Sequence, residues 1–500
     1  MSLSDKKNLL NSRRIISLLL TFFLVFCCFC NNTLTAKAAS LEELQEEVEA
    51  RKALPIQSNE IDNWPAGPQI GAQAAILMDA NTGVILYSKN IHERLYPAST
   101  TKIMTALLAM ENGSLDDMVE FSHEAVFSVP ADGSNMGMDE GESITLEECL
   151  YGIMVASANE AANAAGEYVS GSIDDFVALM NKRAEEMGCT DTHFMNTNGL
   201  HDPEHYTSAY DLALISSYFF RNEMLCKISN TDRHHFEPTP TQPDDFYKKN
   251  KHQLINGEIP YDGILGGKTG YTDNSRQTLV TCAEQNGMRL VCVVLKEESP
   301  DQFTDTAELF DYGFQNFQVL NISENEKKYT IESTGFLQIG DDVFGSSKPI
   351  LSIDTDSYVI IPNTVTFQDL DSEIDYSLSD ENRVAVIEYS YHGMYVGNAY
   401  LNLATDNAST YEFDSNMTSS DVSVEKVEPE AKQEQSQDTI FINIKKVLLG
   451  ILILAAVVIA IFMIHALIAN GRTAKRRNNR VKRKQRRRSS IRTDFDDFDF

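Results

Sequence analysis

Two side chains near position 100 have the types and spacing that nucleophilic catalysis requires. The chain reads Ser99-Thr-Thr-Lys102, and on a helix the positions i and i+3 share a face. The serine hydroxyl and the lysine amine can therefore meet, and the amine can accept the hydroxyl proton. A serine in the first turn of a helix also lies beside backbone N–H groups, which favour a developing negative charge. Because so short a motif often arises by chance, it indicates acyl transfer only together with other motifs.

Two further short motifs contribute polar groups suited to the same chemistry. Ser157-Ala-Asn159 supplies a hydroxyl for proton relay and an amide for holding a substrate amide. Lys268-Thr-Gly270 follows two glycines and is predicted on a strand, so a substrate could lie along the strand edge and anchor its carboxylate there. Each motif alone is weak. The three together, in this order and on a helix, a loop and a strand, are strong evidence for one active site.

Hydrophobic periodicity predicts the elements that must position these motifs. Helices are predicted at 99–110, 145–168, 172–187, 208–221 and 301–312, the last ending before Gly313. Strands are predicted around an Asn-Thr-Gly turn within 73–88 and at 267–272, 277–284 and 288–295. Because strands occur at both ends and helices lie between them, we expect an α/β (α+β) fold in which one antiparallel sheet carries a helical cluster.

The predicted catalytic domain, residues 67–316, is flanked by segments of different composition. Residues 39–66 are rich in Glu and are predicted to form a short helix or a loose acidic lead-in. From 317 to 408, short β runs separated by turn residues indicate a separate small β-rich domain. Residues 409–446 are rich in Ser, Glu, Gln and Asp, a composition typical of a flexible tether.

Two apolar runs predict that the chain is exported and anchored. Residues 1–38 join basic residues to an apolar stretch and end in Ala36-Lys-Ala38, as in a cleavable signal peptide; an uncleaved anchor is the alternative. Residues 447–468 are almost purely apolar, and as a helix they would span about 33 Å, enough for a bilayer core. The basic tail at 469–500 predicts a cytoplasmic C terminus. We expect a single-pass cell-membrane protein with an extracytoplasmic catalytic domain.

The charge distribution agrees with this topology. The formal net charge is −31, and the charges are distributed unevenly along the chain. Residues 471–500 hold twelve Lys or Arg and four Asp, a net charge of +8. Residues 39–446 hold 25 basic and 68 acidic residues, a net of −43. So acidic a chain argues against nucleic acid as a partner. The composition makes no prediction of an oligomeric state.

The cysteines and histidines predict neither a complete disulfide framework nor a metal site. Five cysteines lie outside the predicted signal peptide, an odd number. An Asn286-Gly287 hairpin would place Cys282 opposite Val291 and point its thiol to the sheet face opposite that of Cys292, so no disulfide joins them. The histidines His201 and His205 have i, i+4 spacing but are predicted on a loop. We therefore expect no metal and no cofactor.

The three motifs and the blocks around them resemble the low-molecular-weight penicillin-binding proteins of the serine-type D-alanyl-D-alanine carboxypeptidase family, which are related to class A β-lactamases. The blocks are Ala75-Ile-Leu-Met-Asp-Ala-Asn-Thr-Gly, Pro97-Ala-Ser-Thr-Thr-Lys-Ile-Met-Thr-Ala, Asn196-Thr-Asn-Gly-Leu-His-Asp and Thr207-Ser-Ala-Tyr-Asp-Leu-Ala. The resemblance covers about 70–408, and the family also places a β region before a C-terminal membrane anchor. It implies hydrolysis of the terminal D-alanine from peptidoglycan stem pentapeptides through an acyl-enzyme, with β-lactam antibiotics as covalent inhibitors.

The resemblance also implies the catalytic roles. Ser99 would be the nucleophile, Lys102 its general base and Ser157 the relay that passes a proton to the leaving D-alanine. A lysine with its usual pKa near 10.4 is about 99.9% protonated at pH 7. The site must therefore lower this pKa by about three units, which corresponds to roughly 4 kcal/mol. Partial burial and a second cation, Lys268, are suitable causes.

The substrate-binding residues implied by the resemblance are Asn159, Lys268, Thr269, Gly270 and Tyr271. The amide of the first would hold the peptide part of the substrate, and the cation and hydroxyl of the next two would bind its terminal carboxylate. The glycine leaves the strand edge open. The backbone N–H groups of Ser99 and Tyr271 would form an oxyanion hole.

One residue departs from the family pattern, and two alternative functions stay open. Arg276 is bulky where smaller residues are expected, which bears on substrate preference more than on catalysis. A β-lactamase would need a second general base, usually a Glu followed three residues later by Asn, where this chain has Phe194-Met-Asn-Thr-Asn-Gly-Leu. A non-catalytic penicillin sensor or wall-binding scaffold is the other alternative, although all the implied catalytic residues are present.

Overall fold

The computed structural model describes residues 41–329, 351–377 and 383–403. The predicted signal peptide (1–38), tether (409–446), transmembrane helix (447–468) and basic tail (469–500) lie outside these ranges. Within them, no helix combines the length and the apolar character needed to cross a membrane. The domain boundaries, the anchor and the cellular location therefore stay predictions.

The described residues form α-helices, β-strands and a few short turns of other helical types. The strands are β1 (Ala74–Asp79), β2 (Ile85–Lys89), β3 (Met118–Glu120), β4 (Ser143–Thr145), β5 (Arg233–Phe236), β6 (Phe246–Lys249), β7 (Ile264–Thr272), β8 (Arg276–Gln285), β9 (Met288–Glu297), β10 (Phe317–Asn321), β11 (Leu351–Ile353), β12 (Tyr358–Pro362), β13 (Asp371–Asp375), β14 (Arg383–Tyr391) and β15 (Met394–Leu403). The helices are α1 (Leu41–Lys52), α2 (Lys102–Asn112), α3 (His123–Phe127), α4 (Leu146–Tyr151), α5 (Asn159–Ser170), α6 (Ile173–Glu186), α7 (Ala209–Phe220), α8 (Glu223–Ser229), α9 (Asp301–Asn316) and α10 (Ile322–Asn325).

A five-stranded antiparallel sheet forms the centre of the catalytic region, with the strand order β2-β1-β9-β8-β7. Strands from the two ends of the region pair directly, since β1 runs beside β9 with Leu77 opposite Cys292. The prediction of one sheet built from both ends with helices between is confirmed. Strand β7 lies at an edge of this sheet, and an edge strand presents unpaired backbone N–H and C=O groups.

The two faces of the sheet pack against different partners, which explains why β1 is apolar throughout. Ile76 and Met78 belong to a buried cluster with the helices α2 and α4 to α8, whereas Ala75 and Leu77 belong to a second cluster with α9. Successive side chains of a strand point to opposite faces. A strand covered on both faces therefore needs apolar residues at every position rather than at alternate ones.

Helix α9 continues past Gly313, so the prediction that it ends before this glycine was wrong. A Cβ atom at Gly313 would lie 2.6 Å from Leu77 Cδ2 and 2.8 Å from Leu290 Cδ1. The glycine lets the helix approach the sheet closely. A glycine often ends a helix, but here the packing of α9 on the sheet outweighs that local preference.

The hairpin between β8 and β9 confirms the predicted register around the cysteines. Cys282 lies opposite Val291, and Cys292 lies opposite Thr281. The two thiols belong to the apolar clusters on opposite faces of the sheet, and both cysteines are free. No disulfide joins them, as the two-residue turn predicts.

A second sheet follows α9, as the short β runs predict. Its order is β10-β12-β15-β14-β13, with β11 paired to β15. Its apolar residues, including Ile360 and Ile387, join the buried cluster that also holds Leu86 and Phe314 of the catalytic region. This sheet therefore packs on the sheet face opposite the helical cluster.

Candidate active site

The Ser99 region forms a tight turn that leads into α2. Residues Ala98–Thr101 form one turn of 3-10 helix, and Ala98 has a φ of +50°. Ala98 thus adopts a conformation that non-glycine residues rarely occupy. Such strain is typical of turns that present a functional side chain. Ser99 itself is half-buried at the beginning of the helical segment, where the sequence predicts it.

Two glycines from distant segments close over this turn. A Cβ atom at Gly199 would lie 1.8 Å from the Ala98 carbonyl oxygen, and Gly199 has a φ of +84°. A Cβ atom at Gly270 would lie 2.9 Å from the Ser99 backbone nitrogen. Only residues without side chains allow this approach. The motif glycine therefore brings the edge strand β7 against the backbone of Ser99.

Lys102 is fully buried below Ser99 and makes three contacts at hydrogen-bond distance. Its Nζ lies 3.1 Å from Ser99 Oγ, 2.7 Å from Asn159 Oδ1 and 2.6 Å from the carbonyl oxygen of Asn198. Burial lowers the pKa of Lys102 well below its usual value, and the positive charge of Lys268 lowers it further. Both causes suggested by the sequence, burial and a second cation, are present.

The second motif interrupts what the sequence predicts as one helix from 145 to 168. Helix α4 continues into a π-type turn, Gly152–Ala156, and Ser157 then adopts a left-handed conformation with a φ of +58°. The chain re-enters a helix at Asn159, the first residue of α5. The prediction of one continuous helix from 145 to 168 was therefore wrong. This break places Ser157 and Asn159 on the same side as Lys102.

Lys268 connects the third motif to the second. Its Nζ donates to Ser157 Oγ at 2.9 Å and to the Thr269 carbonyl oxygen at 2.8 Å. The side chain is fully buried, and burial followed by the charge of Lys251 lowers the pKa of Lys268 to about 7. The ammonium of this residue is thus poised to change its protonation state near neutral pH.

The remaining motif residues lie along β7 as the sequence predicts. Thr269 is half-buried, Gly270 abuts the Ser99 backbone, and Tyr271 is half exposed with its hydroxyl 3.0 Å from Asp273 Oδ1. The structure thus brings together all eight residues that the sequence singles out. Their catalytic and binding roles follow from the proposed chemistry below.

Several residues of the site carry no role in the sequence prediction. The Asn198 carbonyl oxygen accepts from Lys102, and Asn198 Nδ2 donates to Asn163 Oδ1 at 3.0 Å. His252 is buried behind the third motif, with Nε2 2.8 Å from Thr281 Oγ1. Burial followed by the charge of Lys268 lowers the pKa of His252 to about 3. The Asn196-Thr-Asn-Gly block was a visible signal for Asn198, but nothing near His252 in the sequence indicates its position.

Arg276, the departure from the family pattern, has its guanidinium bound on the side away from Lys102 and Lys268, because its ion-pair partner is Glu298. Its φ is +53°, and its guanidinium forms an ion pair with Glu298 at 2.6 Å. The same carboxylate binds Arg51 of α1 at 3.2 Å. The Arg276 Nη1 also lies 3.4 Å from the Tyr271 hydroxyl. The arginine therefore contacts the rim of the site through Tyr271.

The histidines have structural contacts. His205 is buried, accepts from the Met195 backbone N–H at Nδ1 and lies 2.8 Å from Thr101 Oγ1 through Nε2. In the part of the chain that the structure describes, no group of three or more His, Cys, Asp or Glu could hold a metal ion.

The arrangement of Ser99, Lys102 and Lys268 can perform acyl transfer through the serine, with an amine as the base.

Sequence comparisons give one family. A family model described as D-alanyl-D-alanine carboxypeptidase, peptidase S11, matches residues 61–299. The chain is 36% identical to D-alanyl-D-alanine carboxypeptidase DacF of Bacillus subtilis over 49% of this chain and 63% of that protein. It is 31% identical to DacA of Escherichia coli over 60% of this chain and 72% of that protein. It is 33% identical to DacB2 of Mycobacterium tuberculosis over 51% of this chain and 87% of that protein.

Solved structures have the same fold. Penicillin binding protein 5 from Haemophilus influenzae aligns with a TM-score of 0.55 and 27% identity, over 68% of this chain and 98% of that one. Penicillin binding protein 6B from Escherichia coli aligns with a TM-score of 0.51 over the same shares, at 24% identity. Both alignments support a catalytic α/β region followed by a β-sheet domain.

Proposed function

The chain belongs to the family of serine D-alanyl-D-alanine carboxypeptidases, which are low-molecular-weight penicillin-binding proteins, and we propose that it removes the terminal D-alanine from peptidoglycan stem pentapeptides. Ser99 is the nucleophile of this reaction. The observation that carries the proposal is the set of three contacts made by Lys102 Nζ.

These contacts suit a neutral amine, which has two hydrogens and one lone pair. The hydrogens can be donated to Asn159 Oδ1 and to the Asn198 carbonyl oxygen, the two acceptors within 2.7 Å. The lone pair is then free to accept the proton of the Ser99 hydroxyl at 3.1 Å. Lys102 therefore acts as the general base when Ser99 Oγ attacks the carbonyl carbon of the penultimate D-alanine.

The proton then has a path to the leaving group. Ser157 Oγ accepts from the Lys268 ammonium, so its own hydroxyl hydrogen can be donated elsewhere. We assign to Ser157 the transfer of a proton to the amine of the departing D-alanine as the C–N bond breaks, after which the Lys268 ammonium returns a proton to Ser157 Oγ. When water attacks the acyl-enzyme, the proton that it releases restores the Lys268 ammonium, and Lys102 returns its proton to Ser99 Oγ. Water then hydrolyses the acyl-enzyme, which releases the shortened peptide and restores the Ser99 hydroxyl.

Binding groups for the substrate surround this path. Lys268 and the Thr269 hydroxyl bind the terminal carboxylate, and the free edge of β7 pairs with the peptide backbone. Because Asn159 Oδ1 is engaged by Lys102, its amide NH2 is available to a substrate carbonyl oxygen. The backbone N–H groups of Ser99 and Tyr271 receive the oxyanion.

The two alternative functions fit this site less well. The segment Phe194-Met-Asn-Thr-Asn-Gly-Leu places amides and backbone groups beside Lys102, and it contains no carboxylate that could activate water for rapid deacylation. A β-lactam adduct on Ser99 is therefore long-lived, unlike that of a β-lactamase. A non-catalytic sensor or wall-binding scaffold would not need a buried lysine whose pKa is lowered beside a serine.

We also propose the cellular setting. The apolar run at 447–468 anchors the chain in the cell membrane, and the basic tail holds the C terminus in the cytoplasm. The catalytic domain then faces the peptidoglycan outside. Export follows from the predicted signal peptide at 1–38.

The full chain, purified in detergent, tests the activity directly. Incubation with a pentapeptide ending in D-Ala-D-Ala should release one D-alanine per peptide. Incubation with penicillin should give a stable adduct that mass spectrometry locates on the peptide containing Ser99. The absence of both D-alanine release and the adduct would overturn the proposal, and rapid turnover of penicillin would favour a β-lactamase.

Lys251 provides a test of the electrostatics of the base. Lys251 is exposed, and its charge contributes to lowering the pKa of Lys102 and of Lys268. The change Lys251→Gln should raise the pKa of Lys102, so the acid limb of the acylation rate should move to higher pH. The measurement is the rate of Ser99 acylation by fluorescent penicillin from about pH 5 to 9. Lys249→Gln, which removes an exposed lysine paired with Glu258, should leave the profile unchanged; an identical profile for both variants would contradict the prediction.

A further inference from the structure

A cavity of about 240 Å³ lies beyond the C-terminal end of β7, the strand that carries Lys268, Thr269 and Tyr271. Its lining includes Arg94, Tyr96, Tyr206, Asn274, Ser275 and Lys296. Two of the lining segments continue directly from the active site, since Tyr96 precedes Ser99 by three residues and Asn274 follows Tyr271 by three. His201 joins these segments, with Nε2 2.9 Å from Asn274 Nδ2 and its ring 4.7 Å from that of Tyr96. The cavity therefore adjoins the segments that carry Ser99 and Tyr271.

A β-bulge determines the position of Lys296 in the cavity wall. Thr278 lies opposite Leu295 and Gln277 lies opposite Glu297, so Lys296 is an extra residue in β9. Its φ is +56°, a left-handed conformation that glycine would adopt without strain. Bulges of this kind redirect a side chain. A lysine occupies this strained position although glycine would fit there without strain, which points to a use for its ammonium.

The cation of Lys296 is available for a ligand. Among the residues that the structure describes, its ammonium contacts no hydrogen-bond acceptor and no carboxylate, and the side chain is half-buried. Arg94, the other cation of the lining, is already paired with Asp191 at 3.0 Å and lies over the ring of Tyr206. The remaining cavity wall offers the amide of Asn274 and aromatic rings. These groups suit an anion attached to a peptide.

Among the residues that the structure describes, no carboxylate lies within ion-pair distance of Lys296, and several carboxylates near the cavity have other partners. Asp191 binds Arg94, Asp273 accepts from the Tyr271 hydroxyl, and Glu93 accepts from Gln73 Nε2. The sequence neighbours of Lys296 are also occupied, because Glu298 binds two arginines and Glu297 accepts from a backbone N–H. A positive charge in a half-buried wall therefore remains for an incoming group.

The direction of the substrate leads to this cavity. A peptide that pairs antiparallel with β7 and binds its terminal carboxylate at Lys268 and Thr269 extends its upstream residues toward Thr272 and Asn274. Three residues of extended chain span at most about 10 Å. Within that length, the two residues immediately upstream of the D-Ala-D-Ala end lie along the end of β7 from which Asn274 and Ser275 of the cavity lining continue.

We propose that this cavity is a subsite for a carboxylate on one of the two stem-peptide residues immediately upstream of D-Ala-D-Ala, and that the Lys296 ammonium binds it. The inference rests on the proposed function and deepens it. It makes Lys296 a specificity-determining residue that takes no part in acylation. The enzyme then prefers stem peptides whose upstream residue carries a free carboxylate over those in which the group is amidated.

The test uses two pairs of synthetic pentapeptides ending in D-Ala-D-Ala. The members of each pair differ only in a carboxylate or a carboxamide, placed on the third or the fourth residue from the C terminus. For the full chain, kcat/KM should favour the acid over the amide by about tenfold in one pair, as expected for a charge-assisted contact. The preference should weaken as salt is raised. An acid-to-amide ratio near one in both pairs would overturn the subsite.

Substitutions of Lys296 distinguish the effect of its charge on substrate preference from the effect of its strained backbone conformation. Lys296→Gln and Lys296→Gly should both reduce the acid-to-amide ratio to within about twofold, and Lys296→Arg should retain it. The glycine variant also relieves the positive φ, so its thermal midpoint should not fall. Lys182→Gln, at an exposed helical lysine, is the matched control and should keep the preference. A preference that persists in both charge-removing variants would overturn the role of Lys296.

The outcome for the subsite is distinguishable from that for the activity. If the unmodified chain releases no D-alanine from any of the four peptides and forms no penicillin adduct, the proposed function fails. If it releases D-alanine from acid and amide peptides equally well, only the subsite fails. Penicillin acylation, which needs no upstream peptide, should be the same in all Lys296 variants and serves as the check of an intact catalytic site.

Discussion

Replacing Lys102 by methionine should lower the rate at which penicillin acylates Ser99 by about 10³-fold. The variant retains most of the side-chain volume but removes the only group within 3.1 Å of Ser99 Oγ that the proposed mechanism uses as a base. The measurement is the rate of adduct formation under single-turnover conditions. A loss of less than about tenfold would show that another group accepts the Ser99 proton.

The same variant should change the pH dependence of stability in a defined direction. The folded state lowers the pKa of Lys102 well below the usual 10.5, so between these two values the unfolded chain binds more protons than the folded one. Lys102 therefore destabilises the fold increasingly as pH falls from about 10.5 toward its folded pKa. We therefore expect the free energy of unfolding of Lys102→Met, relative to that of the unmodified chain, to increase as the pH is lowered from about 9.5 to about 7. Urea unfolding at the two pH values measures this difference.

Lys89 offers a matched control for the loss of a buried lysine. Lys89 is also fully buried, but it lies on β2 and not at the candidate active site. Its Nζ donates to the Ile70 carbonyl oxygen at 2.7 Å. Burial lowers the pKa of Lys89 to about 8. Lys89→Met should therefore show a similar pH-dependent change in stability while acylation proceeds at the unmodified rate. A comparable loss of acylation in both variants would mean that unfolding, not the missing base, explains the effect.

Among the glycines that the structure describes, Gly199 should tolerate replacement by alanine least, because its added methyl group would meet another atom at the shortest distance. The added Cβ would lie 1.8 Å from the Ala98 carbonyl oxygen and 2.3 Å from its carbonyl carbon, so either the turn Ala98–Thr101 or the Gly199 segment must move. Steric overlap together with the positive φ should cost about 3 kcal/mol of unfolding free energy. Because a displacement of about 1 Å can cost 10²-fold in rate, Ser99 acylation should fall by about that factor.

The change Gly171→Ala serves as a control that distinguishes steric overlap from the cost of a positive φ. It has a φ of +80° at the end of α5, and a Cβ atom there would meet no atom within 4 Å. Gly171→Ala should therefore cost only about 1 kcal/mol and leave acylation unchanged. Thermal unfolding and the rate of penicillin adduct formation, measured on both variants, provide the comparison. Equal losses in the two variants would contradict the close approach of Gly199 to Ala98.

The sequence alone determines the parts of this protein that depend on local rules. The i, i+3 spacing of Ser99 and Lys102 predicts their shared face, because helix geometry relates near neighbours directly. The alternation and the two-residue turn around Gly287 predict the pairing of Cys282 with Val291. Motif order and the surrounding blocks were sufficient to identify the family. These features are encoded within short windows of sequence, so no tertiary contact was needed to predict them.

Only the tertiary structure decides how the site works. The acceptors that position the Lys102 amine come from segments 57 and 96 residues away. Burial and the nearby charge of Lys268, which lower its pKa, are properties of the assembled core. The helix predicted through Ser157 is broken because contacts from β7 and the loop at Ser134 hold that segment in another conformation. Gly313 stays helical because the sheet lies against it. In each case long-range packing outweighs a local preference, and periodicity contains no information about such contacts.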